Sequence, residues 1–210
     1  MTVEEAVKGI LSSVQWDVWR FYLSAKQLIK QKVVVISHGH MDHWDRNVSN
    51  FDIVLVPPRV SIPRQLVGLK NIVSVYNFCR IGKIRFVPVG TRLLTRLLRQ
   101  SVFPPHAMWW LCSHRDARVL FVGDLDSDET DVIKSFVSSM FKFDQPLSGV
   151  ILPSYGLTKT HGVNARFAVS ELAEDLRDTY NLKIGALPHP ISADWADYNA
   201  VRVESLADSL

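Results

Sequence analysis

Residues 37 to 45 read Ser-His-Gly-His-Met-Asp-His-Trp-Asp, and the six-residue pattern His38-x-His40-x-Asp42-His43 within them offers three imidazoles and one carboxylate. We call residues 38–43 the cassette. Such donors bind zinc, iron, manganese or nickel, and the lack of a thiolate argues against a purely structural zinc site. The apolar run 33–36 predicts a buried strand that ends at this turn. His38 and His40 can then point one way while Asp42 and His43 point another, so one turn can serve two neighbouring metal ions. A cluster of surface histidines on a polar loop is the alternative.

The cassette resembles the His-x-His-x-Asp-His signature of the metallo-β-lactamase fold superfamily, which contains thioesterases, lactonases, phosphodiesterases and RNA-processing nucleases. The resemblance implies an αββα sandwich with an abbreviated N-terminal lobe, since only 37 residues precede His38 and most of them are helical in pattern. It also implies three later ligands at strand ends, namely a histidine, a bridging aspartate and a final histidine.

Short β-branched segments bounded by turn residues predict eight strands, with helical patterns between them. The strands are predicted over 33–37, 53–57, 71–75, 83–88, 108–113, 118–123, 149–152 and 183–187. The helices are predicted over 3–14, 22–31, 91–100, 128–141, 164–180 and 193–208. This alternation indicates a single α/β domain over residues 1–210, with no repeat or linker that would divide it.

Four histidines follow the cassette, at positions 106, 114, 161 and 189. Residues 108–123 have the pattern of a β-hairpin, and a turn centred on Arg115 would bring His106 opposite Asp124 at the open end. His114 would then lie at the turn, about 25 Å away at the usual rise of a strand, so it is predicted to be a surface residue.

Asp124 and His189 each follow an apolar run. Asp124 comes after Gly123, where its carboxylate could bridge two metals, and a turn or N-cap aspartate is the alternative. His189 stands between two prolines that give it a rigid, non-helical backbone, and an ordinary loop histidine is the alternative. By the resemblance, His38, His40 and His106 would hold one metal and Asp42, His43 and His189 the other, with Asp124 bridging.

The resemblance therefore implies a hydrolase with two divalent metals, for which zinc is expected and manganese or iron are alternatives. Two ions about 3.5–4 Å apart lower the pKa of a water that they share and polarise the substrate's carbonyl or phosphoryl oxygen. Asp42 would be both a ligand and the proton acceptor for that water. The expected substrate is a small ester, lactone, thioester or phosphodiester. Tyr155, Lys159 and His161 could bind an anionic group of that substrate or protonate its leaving group, and a solvated loop is the alternative.

The segment between Asp124 and His189 is too short for the large insertion of the nucleic-acid-processing branch. True β-lactamases carry a cysteine ligand and an export signal, and this sequence shows neither. Residues 151–156, 160–162 and 187–189 resemble the lactonase branch that contains ascorbate-6-phosphate lactonase. An exposed sheet edge beside the abbreviated lobe would favour a homodimer.

A net charge of +3, two cysteines and 47% hydrophobic residues are an ordinary globular composition. The charged helical pattern at the N-terminus is not that of a signal peptide, and no apolar run approaches the roughly 20 residues of a membrane span. We therefore expect a cytoplasmic protein without a membrane partner. Cys112 is expected to be a small core residue. Trp44, Trp109 and Trp110 are expected either to line an apolar pocket or to pack in the core.

Two other functions stay open at this point. Arg92, Arg96 and Arg99 recur on one face of the predicted helix 91–100. That face is either solvated or a nucleic-acid contact, and the latter would favour a metal-dependent RNA or DNA nuclease. The abbreviated lobe would also suit a non-catalytic metal-binding subunit of an assembly.

Overall fold

The computed structural model describes residues 1–16, 28–39, 43–44, 46–58, 60–89, 109–123, 125, 129–154, 162–188 and 201–202. Two β-sheets share a core in this part of the chain, together with three α-helices, so the predicted α/β class is confirmed. The helices are α1 (Val3–Ser13), α2 (Thr130–Lys142) and α3 (Gly162–Tyr180). No helix among the described residues is long and apolar enough to cross a membrane.

The smaller sheet has four short strands whose order in space follows their order in the chain. They are β1 (Gln15–Trp16), β2 (Val33–Val35), β3 (Ile53–Val56) and β4 (Ile72–Ser74), and every neighbouring pair is parallel. Parallel neighbours need long crossovers, and the cassette begins the crossover from β2 to β3. The described parts of these crossovers include the 3₁₀ helices Arg46–Asn50 and Arg64–Leu66.

The larger sheet has seven strands in the order β11-β10-β9-β8-β7-β6-β5. They are β5 (Cys79–Ile81), β6 (Ile84–Val89), β7 (Trp109–His114), β8 (Ala117–Phe121), β9 (Gly149–Ser154), β10 (Lys183–Pro188) and β11 (Val201–Arg202). Pairing is antiparallel from β5 to β8 and parallel from β8 to β11.

The helix prediction fails in two places. Residues 201–202, inside the predicted helix 193–208, instead pair with β10 as a strand. Residues 28–31, inside the predicted helix 22–31, are not helical. At 201–202 a hydrogen-bonding edge on β10 overrides the local helical pattern, as tertiary context often does for a short segment.

The cassette strand β2 contributes to two cores because its side chains alternate between the faces of the smaller sheet. Val33 and Val35 face the larger sheet, in a core that includes Ile10 and Leu11 of α1. Val34 and Ile36 face the other way, into a cluster with Val48 and Leu66 from the two 3₁₀ helices. Complete burial on both faces holds β2 in place, and the cassette leaves from its carboxyl end.

Helices α2 and α3 cover the outer face of the larger sheet. In α3, Val169, Leu172, Ala173 and Leu176 are buried at the i, i+3, i+4, i+7 spacing of an amphipathic helix. An ion pair between Lys134 of α2 and Asp175 of α3 links the two helices at the surface. The described layers are therefore helices, larger sheet, smaller sheet and 3₁₀ segments. The helical layer expected outside the smaller sheet is represented there by 3₁₀ turns.

Candidate metal site

Ile36, which directly follows β2 and precedes Ser37, is held by both sheets. Its amide donates to the carbonyl oxygen of Leu55 in β3 at 2.9 Å, which extends the ladder beyond β2. Its carbonyl oxygen accepts a hydrogen bond from the indole Nε1 of Trp110 in β7 at 3.1 Å. All three residues are buried. The start of the cassette is thus placed by tertiary contacts rather than by its own sequence.

The contact with Trp110 shows which edge of the sandwich the cassette occupies. Trp110 lies near the start of β7 and pairs with Phe121 at the end of β8. Strands β8, β9 and β10 are parallel, so their carboxyl ends meet at this same edge. The predicted ligands His106, Asp124 and His189 come shortly before β7, shortly after β8 and directly after β10. The start of β7 and the ends of β8 and β10 therefore lie at the edge that carries the cassette.

The two described cassette histidines, His38 and His43, are buried side by side at this edge. Their ring centroids are 3.9 Å apart, and the ring planes are tilted by 48°. The hydroxyl oxygen of Ser37, which is also buried, lies 2.9 Å from Nδ1 of His38 and 3.1 Å from Nδ1 of His43. Five positions apart in the chain, the two imidazoles meet at one serine.

This arrangement fits histidines that ligate through Nε2. A hydroxyl carries one hydrogen and can donate it to only one ring, so at least one ring donates its Nδ1–H to Ser37. A neutral imidazole that donates from Nδ1 has its lone pair on Nε2, which is the form that binds a metal. The chemistry of the described pair therefore agrees with the predicted metal site.

Gly39, between two of the predicted ligands, lies close to the backbone of Ser61, a contact that the sequence did not predict. A Cβ atom added there would come within 3.2 Å of both the backbone nitrogen and the backbone oxygen of Ser61. Ser61 belongs to the crossover after β3, so this second crossover packs directly on the cassette. The signal in the sequence was a glycine inside the ligand motif, because glycine permits such a backbone approach.

Most of the predicted site lies outside the described residues. This holds for the ligands His40, Asp42, His106, Asp124 and His189, for the substrate contacts Tyr155, Lys159 and His161, and for Arg92, Arg96 and Arg99. Within the described part of the chain, no three histidine, cysteine, aspartate or glutamate side chains form a group that could hold a metal. The structure thus brings together His38 and His43 and does not bear on the other predicted site residues.

His114 is not the surface residue that was predicted. It is the last residue of β7, only 7% exposed, and it donates from Nδ1 to the carbonyl oxygen of Lys83 at 2.9 Å. The turn contains both Arg115 and Asp116, so His114 pairs with Ala117. The predicted register, with its turn centred on Arg115 alone, is therefore wrong by one residue. His114 shares the buried face of β7 with Trp110 and Cys112, which explains its low exposure.

The three tryptophans predicted either to line a pocket or to pack in the core are core residues, and so is Cys112. Trp109 and Trp110 are fully buried on opposite faces of β7, in two different hydrophobic clusters. Trp44 follows His43 and packs in the cluster outside the smaller sheet. Cys112 is a fully buried strand residue, as predicted, and burial raises the pKa of its thiol well above the usual range.

A groove of about 490 Å³ lies at the opposite edge of the larger sheet, beside the starts of β8, β9 and β10. Its charged lining mixes Glu4, Asp116 and Asp144 with Arg118 and Lys183, and its lining includes neither histidine nor cysteine. The groove therefore has carboxylates but none of the imidazole donors of the predicted site, and the cassette edge is the better candidate for metal chemistry.

Comparison with solved structures finds similarity to metal-dependent hydrolases and to proteins of the metallo-β-lactamase fold. An isothiocyanate hydrolase from Delia radicum gut bacteria is 16% identical over 93% of this chain and 82% of that chain, with a TM-score of 0.48. The metallo-β-lactamase fold protein YhfI from Bacillus subtilis is 11% identical over 85% of this chain and 71% of that chain, with a TM-score of 0.45.

No protein-family model matches the chain, and no curated protein matches it. Both structural similarities are at 16% identity or below and at TM-scores below 0.5.

Proposed function

We propose that this protein is a metal-dependent hydrolase of the metallo-β-lactamase type. The observation that carries the proposal is the buried pair His38 and His43, held side by side at the edge where β8 and β10 end. The two buried imidazoles share one hydroxyl through Nδ1, so at least one of them, the ring that donates its Nδ1–H, offers Nε2 to a metal. A packing role alone would not require two adjacent histidines within a six-residue ligand motif.

In this proposal His38, His40 and His106 hold one divalent ion, and Asp42, His43 and His189 hold the other, with Asp124 as the bridging ligand. When bound, such ions supply Lewis acidity and lower the pKa of water towards neutrality. Asp42 would accept the proton of the attacking water as well as bind metal. Zinc is the proposed metal, since imidazole and carboxylate suit it, and manganese or iron would use the same donors.

The proposed substrate is a small ester, lactone, thioester or phosphodiester. Support comes from the elements on either side of residues 155–161, the segment of the sequence that contains Tyr155, Lys159 and His161. Strand β9 ends at Ser154 on the cassette edge, and α3 begins at Gly162. A phenol, an ammonium and an imidazole from that segment could bind an anionic group or protonate a leaving group. The homodimer stays a prediction, because no described residue bears on it.

Metal analysis of purified protein tests the ligand scheme. We expect about two divalent ions per chain, in line with two-metal hydrolytic sites. His38→Ala and His189→Ala should each remove one of them. Metal content that is unchanged in both variants would overturn the scheme.

Hydrolysis of an ester, lactone, thioester and phosphodiester panel tests the activity. Chelation should abolish turnover and added zinc should restore it. Metal-loaded wild-type protein that is inactive on the whole panel would instead favour the non-catalytic metal-binding subunit. Cleavage of RNA or DNA that is lost when Arg92, Arg96 and Arg99 become glutamate would favour the nuclease.

A further inference from the structure

We infer that Ser37 is a positioning residue that accepts a hydrogen bond from both His38 and His43 and thereby couples the two proposed metal positions. The inference rests on the proposed function and adds a residue that lies outside the ligand motif. Its role would be to hold each ring in the form that offers Nε2 to a metal.

The contact geometry supports two hydrogen bonds to one oxygen. Both separations, 2.9 Å to His38 and 3.1 Å to His43, lie in the normal range, and both involve Nδ1. Ser37 and His43 are fully buried and His38 is 1% exposed, so water does not compete from the protein surface. Within this buried cluster the serine oxygen is the shared partner of the two rings.

Only one placement of the ring hydrogens allows both histidines to bind a metal through Nε2. If Ser37 donated to either ring, that Nδ1 would carry the lone pair and the same neutral ring would carry its hydrogen on Nε2, where it would block a metal. Both histidines can ligate through Nε2 only if both donate to Ser37. A hydroxyl oxygen has two lone pairs and can accept both hydrogen bonds.

The position of the hydroxyl is set by the fold. Ile36, the preceding residue, is hydrogen-bonded through its amide to Leu55 and through its carbonyl to Trp110. Metal-binding histidines usually donate their second ring N–H to a carboxylate, a carbonyl or water, and losing that partner lowers metal affinity about 10- to 100-fold. Here one hydroxyl serves two histidines that are assigned to different metals.

The test compares Ser37→Ala with Ser37→Thr, which keeps the hydroxyl. Zinc affinities measured by chelator competition should fall about 10- to 100-fold at both sites in Ser37→Ala and stay close to wild type in Ser37→Thr. Ser13→Ala is the matched control, because Ser13 is also buried and its hydroxyl accepts the amide of Leu28 instead. It should leave both affinities unchanged.

A second measurement needs neither metal nor variant. In metal-free wild-type protein at about pH 8, where free imidazole is uncharged, ¹⁵N spectra of labelled histidine should show the Nδ1–H form for both rings. The Nε2–H form at either ring would overturn the inference, even if Ser37→Ala does not fold.

The outcomes separate the two claims. Wild-type protein that binds no metal overturns the proposed function and, with it, the coupling of metal positions. Wild-type protein that binds two ions, with equal affinities in Ser37→Ala, overturns the role of Ser37 alone. A Ser37→Thr variant as weak as Ser37→Ala would also overturn it, because the retained hydroxyl would then have no effect.

Discussion

The indole N–H of Trp110 donates to the carbonyl oxygen of Ile36 across the interface between the two sheets, at 3.1 Å. Trp110 belongs to β7 of the larger sheet, and Ile36 directly follows β2 of the smaller one. The bond therefore connects the start of the β7–β8 hairpin to the residue before Ser37. Any shift of one sheet against the other would move the cassette relative to the strand ends that carry the other predicted ligands.

Replacing Trp110 by phenylalanine should therefore lower the free energy of unfolding more than the same change at Trp109. Both indoles are fully buried in one strand, but the Nε1 of Trp109 has no hydrogen-bond partner among the described residues. Trp110→Phe leaves a buried carbonyl without its donor, which costs about 1–3 kcal/mol beyond the loss of volume. Urea denaturation measures both, and equal losses would contradict a role for this bond.

His114→Ala should destabilise the protein without removing metal. The change deletes a buried side chain and its hydrogen bond to Lys83, so we expect the free energy of unfolding to fall by about 1–3 kcal/mol. Metal content should stay at the wild-type value, in contrast to His38→Ala. A metal lost from His114→Ala would show that the ligand assignment is wrong.

Gly82→Ala should be more disruptive than Gly68→Ala. Both glycines have positive φ, 56° and 100°, but only at Gly82 is there a neighbour for the new Cβ, which would lie 2.4 Å from the carbonyl oxygen of Leu28. That oxygen also accepts the amide of Lys83, so the turn and the 28–29 segment would have to separate. We expect backbone strain of about 1–3 kcal/mol at Gly68 and a larger loss at Gly82. Thermal unfolding compares the two, and equal effects would contradict the close approach.

The two cysteines should react slowly with iodoacetamide while the protein is folded. Burial raises the pKa of the Cys79 thiol to about 11, so at pH 8 its thiolate fraction is on the order of one in a thousand. Mass spectrometry should show labelling about a hundredfold slower than in urea-unfolded protein. Labelling of folded Cys79 at the unfolded rate would contradict its burial.

The same shift gives a direction for pH dependence. The folded-state pKa of Cys79 lies above the ordinary 9.0, so its contribution to stability is present below pH 9 and is lost as the pH rises towards 11. A disulfide between Cys79 and Cys112 would not explain slow labelling, because the two residues lie on the strands on either side of β6 and both pair with Phe86. Two strand spacings, about 10 Å, exceed the reach of a disulfide.

The local sequence pattern was enough to predict most of the strands. All eight predicted strands are present with ends shifted by at most a few residues, because runs such as 33–36 and 53–56 are β-branched and clearly bounded. The three strands outside those eight, β1, β5 and β11, have two, three and two residues, too short for a period to be recognised. They exist because a neighbouring strand offers hydrogen bonds.

The donor types of the site could be predicted from the sequence, whereas the contacts that hold those donors in place could not. The cassette motif identified His38 and His43, whereas their shared contact with Ser37 depends on His43 lying back beside the end of β2. The burial of His114 depends on the carbonyl of Lys83, 31 positions earlier. The contact of Gly39 with Ser61 joins two different crossovers. Such contacts between distant segments are not encoded in local periodicity.

Helix α1 has a consequence for how the chain folds during synthesis. Thr2 caps it through a capping box with Glu5, so it can form early, but its buried residues Ile10 and Leu11 pack with Val119 and Phe121. These partners are synthesised roughly a hundred residues after α1. Until then α1 can pack only against nearer members of the same cluster, such as Val33 and Val35 of β2. The core around α1 is therefore completed in two stages, first by the smaller sheet and then by the larger one.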